Sequence, residues 1–284
     1  MLFNSANYII DENGNALNIS EALHIHKTPK VFYKYFNFND NVKENKKRMK
    51  QLVSEKLWLS RKNNLNDPMD LMMLNANKLS CEEKDYYYES INNKYCLCLT
   101  STYRNPPMWA HYANSFSGYC IGFKPIYGAN IKPINYVTNL LELTEEYKLF
   151  FSLLQSGDLI SASQLNSIFE KPKQTLDLMR LCNTMFYSKT KDWAYEKEYR
   201  IIEPCHVEDD EAGRLFLVSE LGLRVSEIIL GLKCSEVNKA VMQDVCKKVN
   251  QKRGKREYIK LYQLSLDGCK FIKKRVSGDS GTVN

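Results

Sequence analysis

Two glutamates flank a lysine in Trp193-Ala194-Tyr195-Glu196-Lys197-Glu198-Tyr199-Arg200-Ile201-Ile202. Read as a strand over Tyr195–Ile202, residues two apart share a face. Glu196, Glu198 and Arg200 then line one face, and Lys197, Tyr199 and Ile201 the other. Neighbouring carboxylates repel, so one of the two is pushed toward protonation unless a cation such as Arg200 compensates. A pair so placed can stabilise developing positive charge or accept a proton as a general base. A solvated strand edge with alternating charges would show the same spacing and no chemistry. Tyr33-Lys34-Tyr35 sets two aromatics and a cation in an early strand, able to stack on a ring and touch a phosphate. Leu99-Thr100-Ser101-Thr102 closes another strand with three hydroxyls, able to hold a ribose or orient a glutamate. Their structural alternatives are a core tyrosine stripe and a turn cap.

His111, in Trp109-Ala110-His111-Tyr112-Ala113, is either a ligand contact or a buried side chain fixing a short helix to the sheet. Asp67 in Asn66-Asp67-Pro68 reads first as a turn former, and Trp109 and Trp193 as core anchors. The four histidines do not cluster, so neither a metal site nor a Cys-His dyad is expected. Nine cysteines, an odd number, have neither disulfide-framework nor zinc-ribbon spacing, and read as reduced, buried thiols. No glycine-rich loop has Rossmann or P-loop spacing, which argues against dehydrogenases and NTPases.

The elements that must position these residues follow from periodicity and turn signals. Strands are expected at 31–36, 57–60, 95–100, 119–123, 195–202, 225–232 and 258–264. Helices are expected at 41–52, 80–92, 108–114 and 235–249, the last capped by Ser235. Residues 139–186 read as a helical insertion of two helices. Helices and strands mixed without strict alternation indicate an α+β fold. The expected organisation is an N-terminal arm (1–28), one domain (29–275) and a disordered tail (276–284).

The composition is that of a globular chain: 284 residues, 44% hydrophobic and 26% charged, with ample length for a core. Only 12 Gly and 8 Pro leave no room for collagen-like or low-complexity readings. No apolar run approaches the ~20 residues of a membrane span, and the N-terminus lacks a secretory pattern. A soluble, cytoplasmic protein with no membrane partner is therefore expected. The net charge of +7 is unevenly placed. Eleven Lys or Arg lie between Lys27 and Lys62, and another eleven between Lys247 and Arg275. Such patches suit nucleic-acid phosphates, or are simply solvated surface.

An early aromatic-basic strand, a later strand ending in Ser/Thr, and a Glu-x-Glu strand resemble, in that order, the marks of the ADP-ribosyltransferases. Here they are Lys34, Thr100-Ser101-Thr102 and Glu196-Lys197-Glu198, with lysine where arginine-modifying members carry arginine. From about 31 to 250 the chain also resembles a widespread bacterial family of uncharacterised domains linked to toxins and phage defence. That resemblance rests on Tyr33-Lys34-Tyr35, Leu65-Asn66-Asp67-Pro68, Met108-Trp109-Ala110-His111-Tyr112-Ala113 with Gly118, and Lys191 to Arg200.

The resemblance implies a mixed, split β-sheet core and transfer of ADP-ribose from NAD, with no metal. It assigns Glu198 to the ribose and oxocarbenium-like state, and Glu196 to the acceptor. Lys34 would contact the pyrophosphate, and Tyr33 or Tyr35 with Tyr112 would stack on nicotinamide. Ser101 would hold the glutamate or ribose, and His111 would contact nicotinamide or ribose. The loop 187–193 matches the acceptor-recognising loop in position. An intracellular toxin or anti-phage effector is implied, restrained by an antitoxin or chaperone and acting on a nucleic-acid or protein acceptor. A catalytically inactive interaction module and an NAD glycohydrolase are the alternatives.

Overall fold

The computed structural model describes residues 8–10, 16–18, 29–38, 41–72, 75–126, 129–140, 186–205 and 212–276. Within the expected arm, β1 (Tyr8–Ile10) pairs antiparallel with β2 (Ala16–Asn18). The main sheet is built from β3 (Phe32–Phe36), β4 (Lys56–Ser60), β5 (Lys94–Thr100), β6 (Tyr119–Pro125) and β7 (Lys132–Pro133). It continues with β10 (Glu198–Pro204), β11 (Gly213–Leu217), β12 (Leu223–Leu230), β13 (Lys260–Asp267) and β14 (Lys270–Arg275). A separate parallel pair joins β8 (Asn135–Val137) to β9 (Ser188–Thr190). The main sheet is mixed but largely antiparallel, β12 and β13 forming its parallel pair. With its helices it makes a single α+β body.

The sheet forks at β5. One edge of β5 pairs with β10 over its full length, from Glu198 opposite Thr100 to Pro204 opposite Lys94. The other edge meets β3 only where Tyr33 faces Thr100, and meets β4 only where Ser60 faces Cys96. Between those contacts β3 leads into the branch β3-β6-β12-β13-β14, and β4 into β4-β11. At the crotch, the Lys34 ammonium donates to the Cys98 carbonyl at 3.3 Å. That carbonyl belongs to the stretch of β5 where the branches have separated, and the lysine supplies the donor that a neighbouring strand would otherwise give.

Helices cover both faces. α1 (Val42–Val53) begins where the Asn41 side chain accepts from the Lys43 and Glu44 backbone N–H groups, a standard way to satisfy orphan donors. Met49 and Leu52, three apart, face the core. α4 (Glu236–Asn250), capped by Ser235, buries Met242, Val245, Cys246 and Val249 on one stripe against the same core. On the opposite face, α2 (Cys81–Asn92) starts with a capping box of Ser80 and Glu83. α2 buries Tyr87 and Ile91 against Leu71 and Leu79, with Ile202 of β10 packed on that cluster. α3 (Pro106–Tyr112) places Trp109 under Tyr35 and Tyr33, its indole N–H donating to the Tyr103 carbonyl at 2.7 Å.

The strands expected from 31–36, 57–60, 95–100, 119–123, 225–232 and 258–264 are present, with ends shifted by one to three residues, as are the helices from 41, 80, 108 and 235. The strand expected over 195–202 is also present, but it starts three residues late. Lys191–Glu196 forms a 3-10 turn, and β10 begins only at Glu198. Strands β7, β8, β9, β11 and β14 were not anticipated, because short or lysine-dense segments carry little alternation signal. Residues 141–185 of the expected helical insertion and 277–284 of the tail lie outside the described residues. Among those described, no helix is long and apolar enough to cross a membrane.

Gly118 closes the turn after α3, where a Cβ would sit 2.2 Å from the Phe36 backbone oxygen and 2.9 Å from that of Ala113. Backbone cannot yield as a flexible side chain can, so Gly118→Ala is expected to destabilise the fold by roughly 1–3 kcal/mol or more. Urea denaturation should show a lower midpoint with an unchanged slope.

Candidate functional site

Glu196 and Glu198 reach one site from two different backbone conformations. After the 3-10 turn, Lys197 adopts the left-handed region (φ 49, ψ 49), which costs a non-glycine residue roughly 1–2 kcal/mol. Three contacts hold it there. The Lys197 N–H donates to the Ala194 carbonyl at 3.3 Å, the Ser101 N–H donates to the Lys197 carbonyl at 3.2 Å, and the Asn105 side chain donates to the Tyr195 carbonyl. The two glutamates therefore do not share a strand face. They share a set of partners.

The centre of that set is Lys189 on β9, only 2% exposed. Its ammonium lies 2.8 Å from Glu196 Oε2, 3.5 Å from Glu198 Oε2 and 3.5 Å from Asp70 Oδ2, and 4.5 Å from the Trp193 ring centroid. Arg200, fully buried, donates from Nε to Glu198 Oε1 at 2.5 Å and from Nη2 to Glu198 Oε2 at 3.2 Å. It also pairs with Asp70 Oδ1 and donates to the Phe186 carbonyl at 3.2 Å. Tyr112 donates to Glu196 Oε1 at 2.5 Å, and Asn66 donates to the Tyr112 oxygen at 2.6 Å. The Glu198 backbone N–H donates to Tyr136 Oη at 2.8 Å. Among the described residues no group of His, Cys, Asp and Glu is arranged to hold a metal ion. The positive charge where the three carboxylates converge is the lysine's own.

Electrostatics separates the two glutamates. Burial raises the Glu198 carboxyl, but Arg200 and Lys189 outweigh it and hold the group down at about 2. Burial also raises Glu196, and there Lys189 and Tyr112 only partly offset it, so that carboxyl lies above its ordinary value. Asp70 is likewise raised, by burial first and by Glu198, against the pull of Arg200 and Lys189. Three carboxylates against two cations leave one negative charge in excess. The cluster therefore accepts a proton readily, and gives it to Glu196 or Asp70 before Glu198. Environments that push two carboxyl groups apart in this way suit one ionised stabiliser and one proton acceptor.

The other residues singled out from sequence divide between two faces and the rim. Tyr112 joins the cluster. His111 is exposed beside it, its ring 6.2 Å from that of Tyr195, which rules out the buried-histidine alternative. Ser101 touches the site through its backbone N–H. Tyr33 and Tyr35 are 7% exposed and committed to the core beneath α3, their hydroxyls donating to Glu227 Oε1 at 3.0 Å and the Thr102 carbonyl at 3.1 Å. Lys34 points to the opposite face, into the fork. There a cleft of about 480 Å³ opens between β3, β4 and α1, with Lys34, Lys47, Arg48 and Lys56 around it, Leu57 and Phe123 beneath, and Tyr112 also lining it. Asp67 accepts from the Met69 N–H at 2.9 Å, the expected turn role. Trp109 is a core anchor, and Trp193 lies against Lys189. Asp70, Lys189, Asn66 and Tyr136 were missed. Asp70 lay two residues past the recognised Asn66-Asp67-Pro68 signal, while Lys189 lay within the 187–193 segment matched to an acceptor-recognising loop without being singled out in it.

Residues 108–201 match the model of a family described as a protein of unknown function (DUF2971). The matched stretch runs from α3 to β10, so it carries His111, Tyr112, Lys189, Glu196, Glu198 and Arg200. It is narrower than the 31–250 span of the sequence resemblance. No curated protein and no solved structure matches the chain.

Removing one partner from a buried ion cluster leaves its counter-charges unpaired, at a cost of roughly 3–5 kcal/mol. Lys189→Met should lower stability at neutral pH by about that amount, and acidification should recover part of it as the freed carboxylates protonate. The wild type behaves oppositely at Glu198. Because its folded pKa is depressed, its contribution is present above the ordinary glutamate range and is lost as pH falls toward 2. Chemical denaturation of both proteins across acidic pH checks the two signs.

Proposed function

We propose that this chain is an NAD-dependent mono-ADP-ribosyltransferase, an intracellular bacterial toxin or anti-phage effector whose reacting centre is Glu198 with Glu196. The observation that carries the reading is the row Tyr33–Thr100–Glu198 across three adjacent strands at the point where the sheet forks. The marked strands are neighbours in space, although Glu198 is separated from Thr100 by nearly a hundred residues. The fork cleft lies within the range of volumes that hold such ligands, roughly 300–1,000 Å³, and Lys34 at its β3 side suits a pyrophosphate.

In this reading the bond between nicotinamide and the ribose anomeric carbon breaks, its electron pair leaving with nicotinamide. The acceptor nucleophile bonds to that carbon and gives its proton to a base. Glu198, kept ionised by Arg200 and Lys189, stabilises the positive charge on the ribose. Glu196, raised and bonded to Tyr112, takes the acceptor proton. Lys34 supplies a point charge for phosphate. Nucleic acid is the favoured acceptor because of the basic segments, and a protein acceptor or water would use the same centre. One observation favours a second reading: Arg200 occupies both Glu198 oxygens, as expected of an inactive interaction module in which the cluster only holds the fold.

The test is label transfer from adenylate-labelled NAD to separate RNA, DNA and protein pools. Glu198→Gln should lower transfer by roughly 10²–10³-fold, the effect of losing one preorganised electrostatic group. Glu196→Gln should lower transfer by about 10²–10⁴-fold, as for a lost general base, while sparing release of nicotinamide to water. Transfer by the wild type should lose rate on the acid side above the ordinary glutamate range, and Glu196→Gln should abolish that limb. Absence of NAD binding and turnover in every pool would leave the interaction module.

A further inference from the structure

The two lysine-rich segments that stand almost two hundred residues apart in the chain form one surface. α1 and α4 pack against each other on the same face of the sheet. Their C-terminal ends are tied by Arg253, which donates from Nε to Glu55 Oε1 at 3.0 Å and from Nη1 to the Val225 carbonyl at 2.7 Å. Lys43, Lys46, Lys47 and Lys50 of α1 are exposed, as are Lys247 and Lys248 of α4. The acids on these elements are mostly engaged: Asp244 with Lys248 at 2.6 Å, Glu236 with Lys239 at 3.3 Å, and Glu257 with Arg224. On α1 the acid is Glu44. Lysines in the last turns complement the helix dipoles, but that accounts for neither Lys43 nor Lys46.

A second observation gives this surface a ligand. The fork cleft opens beside α1 at Lys47 and Arg48, and Trp58 of β4 lines it while 41% exposed. Trp58 is not a loose surface ring. Diagonally across on β11, where Gly213 pairs with Ser60, a Cβ on Gly213 would come within 2.6 Å of the indole atoms Cε2 and Cζ2. The glycine thus lets one side of the indole lie against the β11 backbone. An aromatic platform at one end of a cation stripe is the arrangement that binds single-stranded nucleic acid, base on ring and phosphates on lysines.

We propose that single-stranded nucleic acid docks along α1 and α4 and stacks a base on Trp58. The stripe exceeds what a dinucleotide's two phosphates would engage, which favours a strand over NAD as its occupant. This inference rests on the nucleic-acid acceptor in the function proposed above, and names where that acceptor lies. Binding is independent of transfer, so it is measured without NAD.

The experiment is fluorescence anisotropy of labelled single-stranded RNA and DNA oligomers with the full chain, over a range of salt concentrations. Logarithmic affinity should fall linearly with logarithmic salt, by about 0.7 per phosphate contact. Trp58→Ala should weaken binding roughly ten- to a hundredfold with an unchanged salt slope, and Trp58→Phe should restore most of it. Reversing Lys46, Lys47 and Lys50 to glutamate should both weaken binding and flatten the slope. Thermal melts of these surface variants verify folding. The proposal is overturned if the strand binds wild type and all variants alike, or not at all. It is also overturned if NAD displaces the strand at Trp58, or if labelled polyglutamate binds with the same Trp58 dependence, which would assign the face to an acidic protein. Glu198→Gln should bind the strand as wild type does. In the wild type, retained strand binding with no transfer would refute the enzymatic reading alone, while transfer without Trp58-dependent binding would refute this surface alone.

Discussion

Lys189 holds three buried carboxylates together, and much of this half of the molecule is arranged around that fact. Its ammonium reaches Asp70 from the loop after β4, Glu196 from the 3-10 turn and Glu198 from β10. Arg200 brings the second cation from behind, leaving one negative charge in excess. Neither cation could be buried alone, since an unpaired charge in the interior is costly. Nor could three carboxylates sit within a few ångströms of one another without them. The arrangement is therefore mutually conditional, and it explains why a short parallel pair such as β8–β9 exists: it delivers Lys189 from beneath.

The same mutual dependence links the charge cluster to the fork of the sheet. Thr100 is bracketed by Tyr33 and Glu198, so the place where β3 leaves β5 is also the place where β10 begins. Lys34 closes the exposed β5 carbonyl on one face, and Ser101 anchors the left-handed Lys197 on the other side of the same strand end. The opening between β3 and β4 is thus lined on one side by Tyr112, the partner of Glu196. An ionised Glu198 beside a raised Glu196 gives the region two carboxyl groups of unlike behaviour. That is the property the transferase reading uses, whereas saturation of Glu198 by Arg200 is what a purely structural cluster would also need.

Much of the fold was legible in the residues. The aromatic, β-prone residues Phe32-Tyr33-Lys34-Tyr35-Phe36, the helical spacing of α1 and the Ser235 cap of α4 are local signals of strand and helix. The start of the Tyr195–Ile202 strand was placed three residues early, because charge alternation has the strand period whatever the backbone does. Besides the local bond of its N–H to the Ala194 carbonyl, the contacts that hold Lys197 left-handed come from Ser101 and, at the Tyr195 carbonyl, from Asn105, both distant in sequence. Short strands such as β9 and β14 gain their order from neighbours rather than from propensity. Tyr33 and Tyr35 looked like a binding stripe, but their hydroxyls found partners in Glu227 and the Thr102 carbonyl, groups distant in sequence.

By itself the sequence determined the α+β class, the positions of the principal strands and helices, and the Glu196–Glu198–Arg200 set as the concentration of chemistry. These follow from periodicity, capping and residue type, which act over a few residues. Only the tertiary structure decided that Asp70 and Lys189 belong with that set, that Glu198 is depressed while Glu196 is raised, and that the two basic segments form one face with Trp58. Charges interact through space at distances of a few ångströms, and pKa values answer to burial and to neighbours that the chain brings from far away. No spacing in the sequence encodes those distances until the sheet has forked and the helices have packed on it.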